Sequence, residues 1–337
     1  MRLRRSDTSK PGYRRRGRGT GFSYTDRDGA PLTDAAELDR IRALVIPPAW
    51  RDVWISPDPR GHIQATGTDA AGRLQYRYHD EWRRQRDARK FDHVLEVGAQ
   101  LPKLRAAVSG HLSERGPTRD RVLAAAVRLL DVGCFRIGGE AYANGDDASF
   151  GLATLRREHV TLAGAAIRFC YPAKGGQERT IDIRDDDVRA VVRALLRRAD
   201  DHAELLAYRK GRTWVDVRSA DINSYLREIS GVEISAKDFR TWNGTVLAAT
   251  LLAAAAKARS ATARKRRVSQ AMREVADYLG NTPAVARSSY VDPRVVDLYA
   301  DGITIAPALS DLDDWPGDNR DSIEAAVLDL LRSGIKA

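Results

Sequence analysis

The character of the sequence changes near residue 90, and this change constrains the fold more than any other feature. Between residues 22 and 78, short alternating runs are separated by turn-forming sequences, a pattern typical of antiparallel strands. From Phe91 onward, apolar residues recur mainly at helical spacing. We therefore predict an α+β fold with a small β-rich N-terminal domain, 21–90, and a larger, mostly α-helical domain, 91–337.

A short β region interrupts the helical part. Three alternating runs with glycines at the turns between them predict a three-stranded antiparallel sheet at 159–163, 166–171 and 177–183. Helices are predicted at 34–44, 119–130, 187–198, 220–229, 236–258 and 264–279. Gly280 is predicted to cap the last of these, and Thr282-Pro283 to begin a helix that carries Tyr290.

The chain is strongly basic, and arginine carries most of the charge. The formal net charge is +10 and only nine of the 56 basic residues are lysine. Arginine binds phosphate through a planar fork of donors, so this balance favours a nucleic-acid partner, although GC-rich coding also produces an arginine bias. Residues 1–20 are basic, glycine-rich and aperiodic, and we expect them to form a flexible basic arm.

Cysteine usage and hydropathy indicate a cytoplasmic protein with no membrane partner. Cys134 and Cys170 match no zinc or haem spacing. The N-terminus has no apolar core for a signal peptide, and the longest apolar run, 246–256, is about half of a membrane span. A DNA partner would place the protein at the nucleoid.

The stretch 281–290 offers a nucleophile without the usual base. Tyr290 lies nine residues after Asn281, and Arg240 lies on a separate predicted helix. A serine or cysteine hydrolase needs a nearby base, usually histidine, and the chain has no histidine after His202. A tyrosine with arginines around it suggests attack on a phosphate instead.

Five positions line up along the chain: Arg136, Lys174, Arg240, Asn281 and Tyr290. Together with 72–78 (GRLQYRY), 239–242 (FRTW) and 289–294 (SYVDPR), they resemble the type IB DNA topoisomerases of the poxvirus-like and bacterial kind. The resemblance covers nearly the whole chain, and it implies a catalytic domain of the tyrosine recombinase and topoisomerase IB type.

The resemblance implies a transesterification on double-stranded DNA. Tyr290 would attack a phosphodiester, form a 3′-phosphotyrosyl bond and release a 5′-hydroxyl strand, which rotates and then reseals. Because the tyrosyl phosphate conserves the bond energy, we expect no requirement for ATP, a metal or another cofactor. The sequence has no Walker-type loop and no clear cluster at metal-ligand spacing.

The residue types suit the roles that the resemblance implies. Arg136 and Arg240 are permanent cations with forked donors for the non-bridging oxygens. Asn281 adds a neutral donor where many relatives carry histidine, which preserves a contact to these oxygens but not a proton transfer. Lys174 in a turn suits a general acid that protonates the leaving 5′-oxygen. The sequence does not identify the base for Tyr290.

Arg73, Gln75, Tyr76, Tyr78 and Tyr142 are the predicted DNA contacts. Amide and phenol groups on a β-surface can reach base edges in the major groove. In relatives, the matching Gln-Tyr-x-Tyr contributes DNA contacts, and the position of Tyr142 contributes another. Cross-strand packing of the aromatic rings is an equally good explanation of these residues.

Two other functions remain open at this point. A tyrosine recombinase shares the nucleophile and the arginine pair, but it usually has His-x-x-Arg where this chain has Lys237-Asp-Phe-Arg240. A non-catalytic DNA-binding protein needs only the basic charge. For the topoisomerase, we expect a monomer that clamps duplex DNA.

Overall fold

The chain divides into two structural units, Met1–Asp92 and His93–Ala337. The computed structural model describes residues 2–19, 21–145, 147–256, 260–309 and 319–333.

The N-terminal unit is built on a five-stranded antiparallel sheet. Its strands are β1 (Tyr13–Arg18), β2 (Gly21–Thr25), β3 (Arg51–Ile55), β4 (Ile63–Thr68) and β5 (Leu74–Tyr78), in the order β2-β1-β3-β4-β5. Helix α1 (Ala35–Ala43) begins after Asp34, whose carboxylate accepts hydrogen bonds from the first free N–H groups of the helix. Ile41 packs with Val53, Ile55 and Ala65 to form a small core.

Strand β1 corrects the prediction of a flexible arm over residues 1–20, of which residues 1 and 20 lie outside the described part. Tyr13 packs against the core. Arg15 donates hydrogen bonds to four carbonyl oxygens of a later loop, the shortest of 2.7 Å to that of Trp50. A strand held by an arginine rather than by apolar side chains leaves no periodic signal in the sequence, which is why the prediction was wrong for this segment.

The other arginines of β1 lie on the opposite face of the sheet from the core. Arg14, Arg16 and Arg18 alternate with Arg15 and are exposed. Across the strands, Arg14 is paired with Trp54, Trp54 with Thr66, and Thr66 with Tyr76. Because residues directly opposite each other share a face, Arg14 and Tyr76 lie on the same face of the sheet. We call Arg14, Arg16, Arg18, Tyr76 and Tyr78 the arginine–tyrosine face.

Helix α2 (Asp80–Leu112) contains the division between the units. The charged stretch 82–90 was predicted to end the N-terminal domain, but it is helical. Glu81 accepts hydrogen bonds from Arg84 at 2.6 Å and from Gln85 at 3.1 Å, and such pairs stabilise exposed helical turns that lack an apolar stripe. Although α2 has 33 residues, no helix in the described part of the chain is both long and apolar enough to cross a membrane.

The second unit is mostly helical, as predicted. Beyond α2, its helices are α3 (Arg119–Gly133), α4 (Asp186–Leu196), α5 (Ser219–Ser230), α6 (Ala236–Ala254), α7 (Ala261–Leu279), α8 (Pro283–Ser289), α9 (Pro293–Ala300), α10 (Ala306–Leu309) and α11 (Arg320–Ser333). The helix predicted over 236–258 therefore ends earlier than expected, and residues 257–259 lie outside the described part.

Two sheets accompany these helices. The predicted three-stranded sheet consists of β6 (Val160–Ala163), β7 (Ala166–Ala173) and β8 (Gln177–Ile183), antiparallel and in chain order. A hairpin of β9 (Ala207–Lys210) and β10 (Thr213–Asp216) was not predicted. The α+β class is confirmed.

Helix α3 is central to the core and leads the chain into the site. Its residues from Val122 to Val127 are all buried, and three consecutive alanines among them allow close approach of the neighbouring helices. The helix ends at Cys134, whose φ of 50° lies in the left-handed region that few non-glycine residues adopt. This reversal brings the chain directly to Arg136.

Buried ion pairs join α2, α3 and α11. The carboxylate of Asp131 is 4% exposed and accepts hydrogen bonds from Arg105 at 2.8 Å and from Arg320 at 2.6 Å. Glu324 accepts from the same two arginines. Burial alone would raise the pKa of Asp131, but the charges of Arg320 and Arg105 outweigh it and the pKa is lowered. Helix α11 is therefore attached to the core by charge as well as by apolar packing.

Candidate active site

The C-terminal end of α7 organises the site. Gly280 ends the helix in the left-handed region with φ of 62°, as predicted. Thr282 accepts a hydrogen bond from the N–H of Val285 and Pro283 opens α8, also as predicted. Asn281 lies between these two caps, so the backbone on both sides of it is fixed.

Three arginines from three different elements reach this helix end. Arg179 on β8, Arg240 on α6 and Arg136 after α3 donate to the carbonyl oxygens of residues 278, 279 and 280, over 2.7, 2.8 and 2.5 Å respectively. The last carbonyl groups of a helix have no partner within it and carry partial negative charge. The end of α7 therefore gathers three guanidinium groups.

Asn281 presents a hydrogen-bond donor. Its Oδ1 accepts a hydrogen bond from Nη2 of Arg136 over 2.7 Å. Because a guanidinium can only donate, this contact identifies the oxygen end of the amide. Nδ2 of Asn281 and Nε of Arg240 are buried and have no hydrogen-bond partner among the described residues. Buried donors are usually paired, but four others in the described part of the chain are also unpaired, on Trp82, Arg128, Arg189 and Trp242. The donors of Asn281 and Arg240 differ in lying where guanidinium groups meet at the end of α7, and this setting indicates a site for an acceptor.

Tyr290 lies next to Arg240. It is the C-terminal cap of α8, one residue beyond the helix that was predicted to carry it. Its ring centre is 5.0 Å from the guanidinium carbon of Arg240. The guanidinium therefore lies over the face of the ring, in the arrangement of a cation–π contact.

Helix α6 also holds the backbone of Tyr290. A Cβ at Gly244 would lie 2.8 Å from the carbonyl oxygen of Tyr290, so only glycine allows this approach. Thr245 donates a hydrogen bond to the same oxygen over 3.3 Å and accepts one from the N–H of Asp292 over 3.1 Å. One helix thus positions both Arg240 and the tyrosine.

Lys174 lies in the tight turn between β7 and β8. Gly175 and Gly176 make this turn with φ of 92° and 72°, a conformation that side chains oppose. The lysine side chain is exposed and lines the same cleft as Arg136 and Asn281. The structure therefore brings Lys174, Arg136 and Asn281 to one cleft, whereas Arg240 and Tyr290 are not among the residues that line it. Arg240 is connected to the cleft through its hydrogen bond at the end of α7.

The cleft has a volume of about 600 Å³, and its lining carries both signs of charge: Arg136, Lys174 and Arg179 on one side of the balance, Glu178, Asp182 and Asp277 on the other. Burial lowers the pKa of Arg136, and the neighbouring charges of Arg240 and Arg179 lower it further. Arg136, Arg179 and Arg240 form no ion pair with a carboxylate in the described part of the chain; their recorded hydrogen bonds go to the acceptors described above and to the carbonyl oxygen of Cys134. Because none of these three arginines has an ion-pair partner in the described part of the chain, the place where they meet at the end of α7 suits an anionic ligand.

The predicted DNA contacts have different environments. The rings of Tyr76 and Tyr78 stack with centroids 5.8 Å apart on the arginine–tyrosine face. Gln75 is adjacent to Tyr76 in β5, so its side chain lies on the opposite face of the sheet. Like Arg73, it donates a hydrogen bond to the Asp69 carboxylate.

Tyr142 lies in the second unit, in a short 3₁₀ turn, Glu140–Tyr142. Its side chain is exposed and is not among the residues that line the cleft.

Two groups of potential metal ligands occur outside the cleft. The ligand atoms of His202, Glu204 and Asp216 lie within 4.8 Å of one another, as do those of a second group at 111, 114 and 120. The sequence showed no such cluster, because hairpin β9–β10 brings Asp216 to the other two. Neither group lines the cleft, and we assign them no part in the reaction.

The sequence did not reveal three residues that shape the site: Arg179, Gly244 and Thr245. Arg179 lines the cleft, and its only sequence signal is an arginine in the strand that follows Lys174. Gly244 and Thr245 contact the backbone of Tyr290, and a glycine four residues after Arg240 on a helix is a signal of close packing.

Comparison with known proteins identifies the family. Residues 79–305 match the family model described as "Eukaryotic DNA topoisomerase I, catalytic core", and residues 21–69 match "Bacterial DNA topoisomerase IB, N-terminal domain". The chain belongs to the type IB DNA topoisomerase family. A protein named "DNA topoisomerase 1B" from Acanthamoeba polyphaga mimivirus is 29% identical over 289 residues, which are 83% of this chain and 85% of the viral protein.

Membership of the type IB DNA topoisomerase family confirms the predicted enzyme class and its DNA substrate. Both models name a topoisomerase, which favours this function over a tyrosine recombinase and over a non-catalytic DNA-binding protein. Lys237, where the recombinases usually carry histidine, is exposed at the start of α6.

Proposed function

We propose that this type IB DNA topoisomerase relaxes supercoiled duplex DNA by transesterification at Tyr290. One observation supports this site above all others. Nδ2 of Asn281 and Nε of Arg240 are buried donors without an acceptor among the described residues, and Arg240 lies against the tyrosine ring. A phosphodiester bound beside Tyr290 would supply the missing acceptors.

In the proposed reaction, the hydroxyl oxygen of Tyr290 attacks the phosphorus and its proton passes to water, from which the tyrosine recovers a proton when the strand reseals. The bond from phosphorus to the 5′-oxygen breaks and a 3′-phosphotyrosyl bond forms. Arg136, Arg240 and Asn281 donate hydrogen bonds to the non-bridging oxygens, where negative charge increases in the transition state. After the released strand has rotated, its 5′-hydroxyl attacks the phosphotyrosine and restores the original bond, so the cycle consumes no ATP.

We assign Lys174 the protonation of the leaving 5′-oxygen. Its side chain extends from a two-glycine turn into the cleft that Arg136 and Asn281 line, so it can approach the bond that breaks. The ammonium proton passes to the oxygen as the bond to phosphorus lengthens, and the lysine recovers it when the strand reseals. The arginines supply the positive charge that a metal would otherwise provide.

We propose that the arginine–tyrosine face binds duplex DNA. Arg14, Arg16 and Arg18 are exposed at alternate positions of one strand, and successive side chains on one face of a strand are roughly 6.6 Å apart. Such a row suits contacts to consecutive phosphates, while Tyr76 and Tyr78 on the same face can reach bases. Exposed Tyr142 would add a contact from the second unit. We further propose that a monomer, with both units on the same duplex, is the active form.

The test is relaxation of supercoiled plasmid in EDTA and without ATP, with Tyr290→Phe as the matched variant. We expect the wild type to relax both positive and negative supercoils, and Tyr290→Phe to bind the plasmid but leave its linking number unchanged. A wild-type protein that binds plasmid but never changes the linking number would disprove the proposal. Relaxation by Tyr290→Phe at the wild-type rate would mean that another residue is the nucleophile.

A further inference from the structure

Arg179 lines the cleft beside Arg136, but it is not one of the five residues identified by resemblance. It lies on β8, opposite Tyr171 on β7. Its Nη2 donates to the carbonyl oxygen of Tyr278, and this is its one recorded hydrogen bond within the described part of the chain. Two of its three guanidinium nitrogens therefore remain available to a ligand.

The position of Arg179 connects it to Asn281. Gly280 precedes Asn281 with φ of 62°, and a Cβ at Gly280 would overlap the guanidinium of Arg179. The guanidinium thus lies directly over the turn that carries the Asn281 amide. A ligand that accepts a hydrogen bond from Nδ2 of Asn281 is also close to Arg179.

Arg179 forms no ion pair in the described part of the chain, although the carboxylates of Glu178, Asp182 and Asp277 also line the cleft. Burial lowers its pKa, and the charge of Arg240 lowers it further, against an opposing effect of Tyr171. The charge of Arg179 in turn lowers the pKa of Arg136. A neutral donor could cap the carbonyl of Tyr278 equally well, whereas a third partly buried cation next to two others costs free energy unless an anion binds.

We propose that Arg179 is a further catalytic residue, which donates hydrogen bonds to a non-bridging oxygen of the phosphodiester that Tyr290 attacks. This inference rests on the proposed function, because it concerns the same phosphate. Nη2 keeps its contact with Tyr278, while Nη1 and Nε face the phosphate. Three guanidinium groups then share the negative charge that develops on the non-bridging oxygens, and α7 holds all three in place before the substrate binds.

The experiment measures how fast the full-length enzyme, in excess over a labelled linear duplex, forms the covalent protein–DNA adduct that SDS traps. DNA affinity is measured separately in a Tyr290→Phe background. We expect Arg179→Ala to slow adduct formation by about 10²- to 10³-fold, the usual effect of removing one fixed donor. The dissociation constant should change by less than about tenfold, since a single phosphate contact is lost.

Two further variants separate catalysis from capping. Arg179→Gln keeps an N–H donor for the carbonyl of Tyr278 but has no charge, and we expect it to be as slow as Arg179→Ala. Arg179→Lys keeps the charge without the fork, and we expect partial recovery. If Arg179→Gln forms the adduct at the wild-type rate, the role of Arg179 is only to cap the carbonyl of Tyr278, and the proposal is overturned.

The matched control is Arg227→Ala. Arg227 is an exposed arginine on α5 whose hydrogen bond goes to Ser224 of the same helix and which does not line the cleft, so its loss should leave the rate unchanged. If the wild type itself forms no adduct, the proposed function fails. If the wild type forms it and Arg179→Ala does so equally fast, only the role of Arg179 fails.

Discussion

Arg136 and Asn281 are joined by a hydrogen bond of 2.7 Å between Nη2 and Oδ1, and this contact decides which end of the Asn281 amide can donate. An arginine has no acceptor, so the amide oxygen must face it and Nδ2 must point away. The first residue follows α3 and the second follows α7, so this contact connects two parts of the chain that are far apart in sequence.

Replacing Asn281 by aspartate should abolish most activity. A carboxylate would pair with Arg136 and neutralise it, and it could not donate a hydrogen bond to a phosphate. We expect covalent adduct formation to fall by at least about 10²-fold, and Asn281→Ala, which removes the donor and the acceptor but adds no negative charge beside Arg136, to be less impaired. An active Asn281→Asp enzyme would show that this amide does not contact the phosphate.

Thr245→Val should impair the reaction by releasing the backbone around Tyr290. The substitution removes the hydrogen bond to the carbonyl oxygen of Tyr290 and leaves the buried N–H of Asp292 unpaired. We expect a loss of about 1–3 kcal/mol in the free energy of unfolding, measured in urea, together with slower adduct formation at temperatures where the protein is folded.

The control for Thr245 is Thr250→Val on the same helix. Thr250 is also buried, but its hydroxyl donates only to the carbonyl of Val246 within α6. We expect a near-wild-type rate of adduct formation from this variant. Equal rates for the two variants would mean that Thr245 does not position Tyr290.

A better leaving group should rescue Lys174→Ala. If Lys174 protonates the 5′-oxygen, a substrate with sulfur in place of that oxygen needs no acid, because a thiolate leaves unprotonated. We expect Lys174→Ala to be slow on the oxygen substrate and close to wild type on the sulfur substrate. Lys210→Ala, at an exposed hairpin outside the cleft, should be unaffected on both. A Lys174→Ala defect that persists with sulfur would refute the acid role.

The arginines of β1 should determine part of the salt dependence of DNA binding. Each phosphate contact contributes about 0.9 to the slope of log K against log salt concentration. We expect Arg14→Ala, Arg16→Ala and Arg18→Ala each to reduce the slope by about that amount, without changing the rate of adduct formation on saturating DNA. An unchanged slope in the triple variant would exclude this face from binding.

Arg15→Ala is the informative comparison for those variants. Arg15 points to the other face of β1 and donates only to carbonyl oxygens of the protein. We expect it to lower the stability of the N-terminal unit and to leave the salt slope of the folded protein unchanged.

The ion pairs of Asp131 should make stability depend on acid pH. Because the folded pKa of Asp131 is lowered, its contribution to the free energy of unfolding is fully present above the unfolded pKa of about 3.9. This contribution is lost as the pH falls through the folded pKa.

Two variants test this account. We expect Arg105→Ala to lower the free energy of unfolding by about 3 kcal/mol at pH 7, and Asp131→Asn to weaken the decline of stability below about pH 4. Urea unfolding over this pH range measures both effects, and Arg119→Ala, which removes exposed pairs only, is the control. A flat wild-type profile below pH 4 would contradict this account.

Local sequence patterns were sufficient for the α+β class, the three-stranded sheet and the caps at Gly280 and Thr282. Each depends on chemistry within a few residues: alternation, helical spacing, or a glycine that tolerates positive φ. The five catalytic candidates were also identified from sequence, but by resemblance rather than by any local pattern, and their roles stay predictions.

The sequence by itself determined which residue types are present for phosphate chemistry: a tyrosine, several arginines, a lysine in a glycine turn and no nearby histidine. The tertiary structure alone decided that Arg136, Arg179 and Arg240 meet at successive carbonyl groups of α7 and that Gly244 and Thr245 hold Tyr290. It also decided that β1 is a strand of the sheet rather than an arm. The physical reason is that all these contacts join residues far apart in sequence. Long arginine side chains reach distant carbonyl groups, and Gly244 and Thr245 meet the backbone of Tyr290 across the fold, so none of these contacts leaves a periodicity along the chain.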